Sequence, residues 1–151
     1  MISLIKLRFI LTAISCIFLF LQPVSATSQV LTDVKVIHAS TGAEQFDSGL
    51  KGIIQELKSV FKYTSYRLLN DQRFILNFNQ EGLVNLPGNR TLLILPSDTD
   101  GKRIRYQIHI QKNNSPIFQT QVLLKNNSSI TIGGPELDSG ILLINITGAL
   151  Q

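Results

Sequence analysis

From Tyr63 onward the apolar residues of this chain recur at every second position, and that change of period constrains the fold more than any other feature. Side chains on a strand alternate between faces, so a period of two means strands with one face buried. Candidate strands run over 64–70, 73–79, 83–86, 91–96, 103–111, 117–124, 129–132 and 141–147. Between them stand residues suited to turns: Asn70-Asp71, Glu81-Gly82, Pro87-Gly88-Asn89, Asp98-Thr99-Asp100-Gly101, Asn113-Asn114-Ser115, Asn126-Asn127 and Gly133-Gly134-Pro135. Short strands at intervals of about 8–12 residues predict a sandwich or a barrel.

The alternation also assigns faces. Phe74, Leu76 and Phe78 point inward, with Arg73, Asn77 and Asn79 outward. Ile104, Tyr106, Ile108 and Ile110 point inward, opposed across a hairpin by Phe118, Val122 and Leu124. Leu142, Ile144 and Ile146 point inward on the last strand, and Ile141 and Leu143 indicate that its other face is covered too. Leu92 to Leu95 read as a strand buried on both sides. An outer-membrane barrel needs strands of about 10 residues and aromatic girdles. Most of these strands are shorter and the chain has no Trp, which favours the sandwich.

Before Tyr63 the pattern differs. Residues 27–31 read as a short leader, and 33–39 as a strand with Val34, Val36 and His38 on one face. A helix follows, capped by Asp47 or Ser48, in which Leu50, Ile53, Ile54, Leu57 and Phe61 form one stripe that Val60 widens. Lys51, Lys58 and Lys62 fall on the opposite face, and Gly49 and Gly52 weaken the first turn. The expected fold class is α+β: an N-terminal strand–helix–strand unit followed by an antiparallel β-sandwich-like sheet with one packed helix.

The N-terminus has the layout of a secretory signal peptide. Lys6 and Arg8 supply positive charge, residues 9–21 are almost wholly apolar, Pro23 breaks the run, and Val24-Ser25-Ala26 offers small residues for cleavage after Ala26. The expected organisation is a signal over 1–26 and a single exported α+β domain over 27–151. An uncleaved membrane anchor and lipidation at Cys16 are the competing readings; an anchor is the only expected route to a membrane. Cys16 is the single cysteine, so a cleaved chain has neither disulfide nor thiolate chemistry. The expected address is the periplasm or outer envelope of a Gram-negative bacterium. Of the 14 basic residues two lie in the signal, leaving 12 against 10 acidic ones, a net of +2. That balance is too mild to argue for nucleic acid as a partner.

No motif carries a reaction. Asp98-Thr99-Asp100-Gly101 has the opening of a calcium loop, but the twelfth position is His109, where an acid is needed. His38 and His109 are the only histidines, and no nucleophile can be paired with either by spacing. Glu136 and Asp138 share a Gly/Pro segment without a third ligand. No catalytic residue, metal or cofactor is therefore expected. The surface of most interest is the polar side of one predicted hairpin: Arg103, Arg105, Gln107, His109 and Gln111 on one strand, with Gln119 and Gln121 beside them on the next. Such a face can bind a polar ligand such as a glycan, or it can be ordinary solvent-facing sheet.

Residues 57–69 (L-K-S-V-F-K-Y-T-S-Y-R-L-L), 86–90 (L-P-G-N-R), 132–135 (I-G-G-P) and 140–144 (G-I-L-L-I) resemble a group of small exported bacterial proteins of unknown function. The likeness spans about 34–147 and implies a single exported domain without an assigned active site. The hexapeptide S-I-T-I-G-G at 129–134 is similar to a strand-turn element of secretins, the outer-membrane pores of secretion systems. The leading expectation is a non-enzymatic envelope module that binds a partner protein or supports assembly of an envelope complex. The alternative is a glycan-binding module using the Arg/Gln hairpin face, and the third is an exported hydrolase.

Overall fold

The structure, a computed structural model, describes residues 28–151. The expected signal, with Cys16 and the cleavage point after Ala26, lies outside the described residues. Within them are β1 (Gln29–Ser40), β2 (Gln45–Phe46), α1 (Ile54–Val60), β3 (Ser65–Asn77), β4 (Gly82–Leu86), β5 (Arg90–Thr99), β6 (Arg103–Lys112), β7 (Ser115–Lys125), β8 (Ser128–Leu137) and β9 (Gly140–Leu150). They form a five-stranded sheet of order β2-β3-β1-β9-β8 and a four-stranded sheet of order β4-β5-β6-β7. All pairings are antiparallel except β2 with β3. The architecture is mostly β, sandwich-like, with one short α-helix. Both sheets keep open edges, so the described chain is not a closed barrel.

One core lies between the sheets. Val30, Val34 and Val36 of β1 and Leu142, Ile144 and Ile146 of β9 meet Val84, Leu92, Ile94, Ile104, Tyr106, Ile108 and Ile110 from the other sheet. Burying each such aliphatic side chain contributes roughly 1.5–3 kcal/mol before the entropy of ordering is charged against it. Tyr106 is the polar exception. Its hydroxyl lies 2.9 Å from Thr32 Oγ1, and burial pushes its pKa up to about 12. Gly148, which faces Thr32 across the β1–β9 pairing, makes the room, since a Cβ there would lie 2.6 Å from that hydroxyl.

A second, smaller core lies on the outer side of the five-stranded sheet. Leu50, Ile54 and Leu57 pack on Ile37, Ala39, Tyr66 and Leu143. The Tyr66 hydroxyl donates to the Phe61 carbonyl at 2.9 Å, closing the end of α1. The helix is shorter than its apolar stripe: Ser48–Leu50 is a 3-10 turn and α-helical geometry begins only at Ile54, after Gly49 and Gly52. Asp47 does not cap it; its Oδ2 accepts from the Leu68 backbone N–H at 2.8 Å, pinning the segment to β3. Val60 does not widen the stripe. It is 64% exposed, because a helix of about two turns spends its contact with the sheet on Ile54 and Leu57.

Four further expectations need correction. The leader at 27–31 is strand from Gln29, because β3 and β9 supply hydrogen-bonding partners on both sides as far as Val30. Segments 64–70 and 73–79 are one strand; β1 pairs across Asn70-Asp71 without a turn, and a register shift opposite Val36 and Ile37 absorbs Leu69. Gly133-Gly134-Pro135 is not a turn but an irregularity inside β8, which resumes pairing at Glu136. The turn lies at Asp138-Ser139, followed by Gly140, where a Cβ would collide with the Ala39 carbonyl oxygen. Finally, Leu92 and Ile94 are buried but Leu93 and Leu95 are only half-buried, because none of the described residues packs a second core on that side of β5.

Candidate functional site: the bare face of the four-stranded sheet

Alternation along β6 places Ile104, Tyr106, Ile108 and Ile110 in the core and sends Arg103, Arg105, Gln107, His109 and Gln111 to the outer face. The β6–β7 connection is a two-residue turn with Asn113 and Asn114 at φ 50° and 63°, the left-handed geometry that asparagine tolerates. It joins the two strands as a hairpin, and a one-residue bulge at Ile117, which has no partner on β6, then shifts the register so that Gln107 faces Gln121, His109 faces Gln119 and Arg105 faces Leu123. The structure therefore brings Arg105, Gln107, His109, Gln119 and Gln121 onto one surface, with Gln111 at its end opposite Pro116.

β4 and β5 extend the surface with side chains of another kind. Leu83 pairs with Leu93, which pairs with His109, and Leu95 pairs with Gln107. Leu83 is 58% exposed, Leu123 47% and Ile117 46%. The face is thus a mixture of leucines and amides rather than a purely polar one. Leu93 and Leu95 escape a sequence reading because L-L-I-L has the pattern of a doubly buried run; only the structure shows them paired with His109 and Gln107 on the outer face.

Arg103 is drawn away from this surface. Its Nε donates to Asp100 Oδ2 at 2.9 Å, while Asp100 Oδ1 accepts from the Lys102 and Arg103 backbone N–H groups at 2.9 and 2.7 Å. These bonds, the Lys102 N–H first, hold the Asp100 carboxyl down at about 2. With Gly101 at φ 81°, the Asp-Thr-Asp-Gly segment is a hairpin turn in which both Asp100 carboxylate oxygens and Asp98 Oδ1 are engaged by neighbouring N–H groups. Two shallow depressions flank Arg105. One of about 50 Å³ is lined by Asp98, Thr99, Asp100, Arg103, Arg105 and Leu123, and one of about 150 Å³ by Arg105, Gln121, Val122 and Leu123.

The other sequence candidates are scattered. His38 faces the interior, and its Nε2–H donates to the Leu137 carbonyl at 3.1 Å. Glu136 is at the end of β8, its carbonyl accepting from Arg90 Nη1 at 2.8 Å, and Asp138 occupies the following turn at φ 49°. Lys58 is tied to Glu44 and lies 5.2 Å over the Phe46 ring, so the lysine face of α1 is not a free cationic strip. Among the described residues no group of three His, Cys, Asp or Glu side chains converges as a metal site would require. No family model, no curated protein and no solved structure matches this chain.

Proposed function

We propose that this protein is an exported, non-enzymatic module of the bacterial cell envelope that binds a partner protein, or supports assembly of an envelope complex, through the bare face of its four-stranded sheet. In this reading residues 1–26 are the cleaved signal, the mature chain begins at Thr27, and the module works in the periplasm or outer envelope of a Gram-negative bacterium, like the small exported proteins it resembles. The strand–helix–strand segment 29–77 acts as a unit that braces the five-stranded sheet and leaves the other sheet to the partner.

The observation that carries the reading is the composition and shape of the bare face. Partly exposed Leu83, Leu93, Leu95 and Leu123 are interspersed with Gln107, Gln119, Gln121, His109 and Arg105 on one sheet face. Clustered exposed apolar side chains among hydrogen-bonding ones favour a protein surface as ligand. Small-molecule sites enclose roughly 300–1,000 Å³, against about 150 Å³ for the larger depression here. That depression, lined by Arg105 and Gln121, is what favours the second reading, a glycan-binding module. For the hydrolase reading, a carboxylate opposite a histidine is wanted. His109 instead faces Leu93 and Gln119, and His38 faces Arg67 and Leu142.

The test is cross-linking capture from envelope extracts with wild type, the Arg105→Ala/Gln107→Ala double variant, and Arg73→Ala on the opposite sheet as control. The expected outcome is a protein held by wild type and control and lost from the double variant, with glycan arrays blank for all three. Identical capture by the double variant would remove this face from consideration. Array signal lost in the double variant would install the glycan reading instead. Intact mass of the exported protein checks the start at Thr27.

A further inference from the structure

The two sheets end in four edge strands, β2 and β8 on one and β4 and β7 on the other. Unpaired N–H and C=O groups along an edge invite another strand, and proteins usually blunt such edges. Three of these edges are blunted. β2 pairs over two residues, and β4 has five. β8 is broken by a register shift between Gly133 and Glu136 that contains Pro135, and its Glu136 and Leu137 carbonyls are taken by Arg90 and His38. β7 differs. It runs over 11 residues; Pro116 and the bulged Ile117 stand at its start, and beyond them it keeps unbroken register with β6 from Phe118 to Lys125 with no charged side chain before Lys125. Among the described residues, no side chain hydrogen-bonds to its backbone between Ile117 and Leu124.

The sequence of β7 is a chemical palindrome about Thr120. Outward from that residue stand Gln119 and Gln121, then Phe118 and Val122, then Ile117 and Leu123. In an antiparallel pair about a twofold axis through Thr120, every residue meets its own kind. On the outer face Gln119 meets Gln121 of the second copy and Ile117 meets Leu123. On the inner face Thr120 meets Thr120, and the half-buried Phe118 meets Val122. Directly opposed residues in antiparallel strands are the contacts that decide pairing, and here none is mismatched in polarity or repelled by charge.

We propose that the protein self-associates as a twofold dimer by edge-to-edge pairing of β7 with β7 of a second copy, centred on Thr120. The contact uses up the edge on both copies, so assembly closes at two. It joins the four-stranded sheets into one eight-stranded sheet and the two bare faces into one platform. An interface of about seven residues a side is small against the roughly 1,200–2,000 Å² of standard complexes, so the dimer dissociates on dilution. The proposal concerns an edge rather than a face, and it stands whether or not the face binds a partner.

Sedimentation velocity across a concentration series, on protein expressed from the full-length reading frame and purified from its compartment, reads the association. Wild type is expected to move from monomer to dimer. Gln119→Lys/Gln121→Lys places like charges directly opposite each other twice, as does Gln119→Glu/Gln121→Glu, and each weakens self-association about tenfold or more. Both positions are exposed, so circular dichroism stays that of wild type. Mixing the Lys and Glu forms restores the dimer. The register is read by Thr120→Cys, which places two Cα atoms within disulfide reach and cross-links on oxidation. Ile117→Cys does not, because its own counterpart lies about 20 Å away along the strand. A wild type that stays monomeric, a Lys form that associates as wild type does, a mixture that fails to recover, or cross-linking at 117 in place of 120 would each overturn the proposal. Partner capture lost in Arg105→Ala/Gln107→Ala while dimerisation persists would show the two surfaces to be separate.

Discussion

The outer faces of the two sheets are built from the same alternation and end in opposite states. On the five-stranded sheet, the end bearing Ile37, Ala39 and Leu143 is sealed by Leu50, Ile54 and Leu57. Much of the rest of that face is knitted by cross-strand polar pairs, with Ile75, paired with Leu31 and 60% exposed, as an apolar exception. Arg73 meets Asp33 through two bonds of 2.6 and 3.0 Å, Lys35 meets Asp71, and Asn145 Nδ2 donates to Thr131 Oγ1 at 2.8 Å. On the four-stranded sheet no helix arrives among the described residues, the leucines stay half-exposed and the amides face solvent. Apolar side chains on an outer strand face therefore mean different things in the two places. They are core where a connecting segment returns to cover them, and stay open to solvent where none of the described residues does.

The sharpest way to break this contrast is to put a charge on each face. Leu57→Asp or Leu143→Asp strands a carboxylate in a sealed core and should cost more than about 4 kcal/mol, abolishing the fold. Leu93→Asp, on the bare face, should cost within about 1 kcal/mol. Denaturant melts that found these equally harmful would mean that the four-stranded sheet is covered in solution.

Next in size is the residue beneath the bare face. Tyr106→Ala should cost about 3 kcal/mol or more, as a large core truncation. Tyr106→Phe should cost about 1–2 kcal/mol, by leaving Thr32 Oγ1 buried without its partner. Because the folded pKa of Tyr106 is raised from 10 to about 12, its contribution is full below pH 10 and is lost as pH climbs toward 12. Thermal melts between those pH values should show a steeper fall for wild type than for Tyr106→Phe. Equal slopes would mean that the hydroxyl is not buried as described.

Smaller effects belong to the covered side. A free surface lysine would tolerate reversal, but Lys58 meets Glu44 and the Phe46 ring. Lys58→Asp should lower the melting midpoint by a few degrees, whereas Lys51→Asp, at an exposed position without those contacts, should leave it in place. Equal midpoints for the two would show the Lys58 contacts to be energetically idle. The smallest effect is in acid. Asp100 has its pKa depressed from 3.8 to about 2, so its stabilisation is present above about pH 4 and lost as pH falls toward 2. Asp100→Asn should flatten that part of the acid profile, and an unchanged profile would locate the acid sensitivity elsewhere.

What the sequence by itself determined is whatever depends on neighbours along the chain. Alternation alone oriented Tyr106 and Ile108 inward, Arg105 and Gln107 outward, and Leu142, Ile144 and Ile146 into the core. The inward Phe118, Val122 and Leu124 put Gln119 and Gln121 on the same face as His109 and Gln107, and a bulge at Ile117 reconciles that phase with the Asn113-Asn114 turn. The facing follows from local geometry, because successive strand side chains must point to opposite faces. Only the tertiary structure decided where partners lie far apart in the chain. β1 became a central strand and began at Gln29 because β3 and β9 close on it from either side. Asn70-Asp71 and Gly133-Gly134-Pro135, turn-forming when read alone, were held within strands by pairing partners. Leu93 and Leu95 stayed uncovered because α1 packed on the other sheet. A backbone group is satisfied by whichever partner reaches it, and a side chain is buried by whichever element lands on it; neither is written in the residues next door.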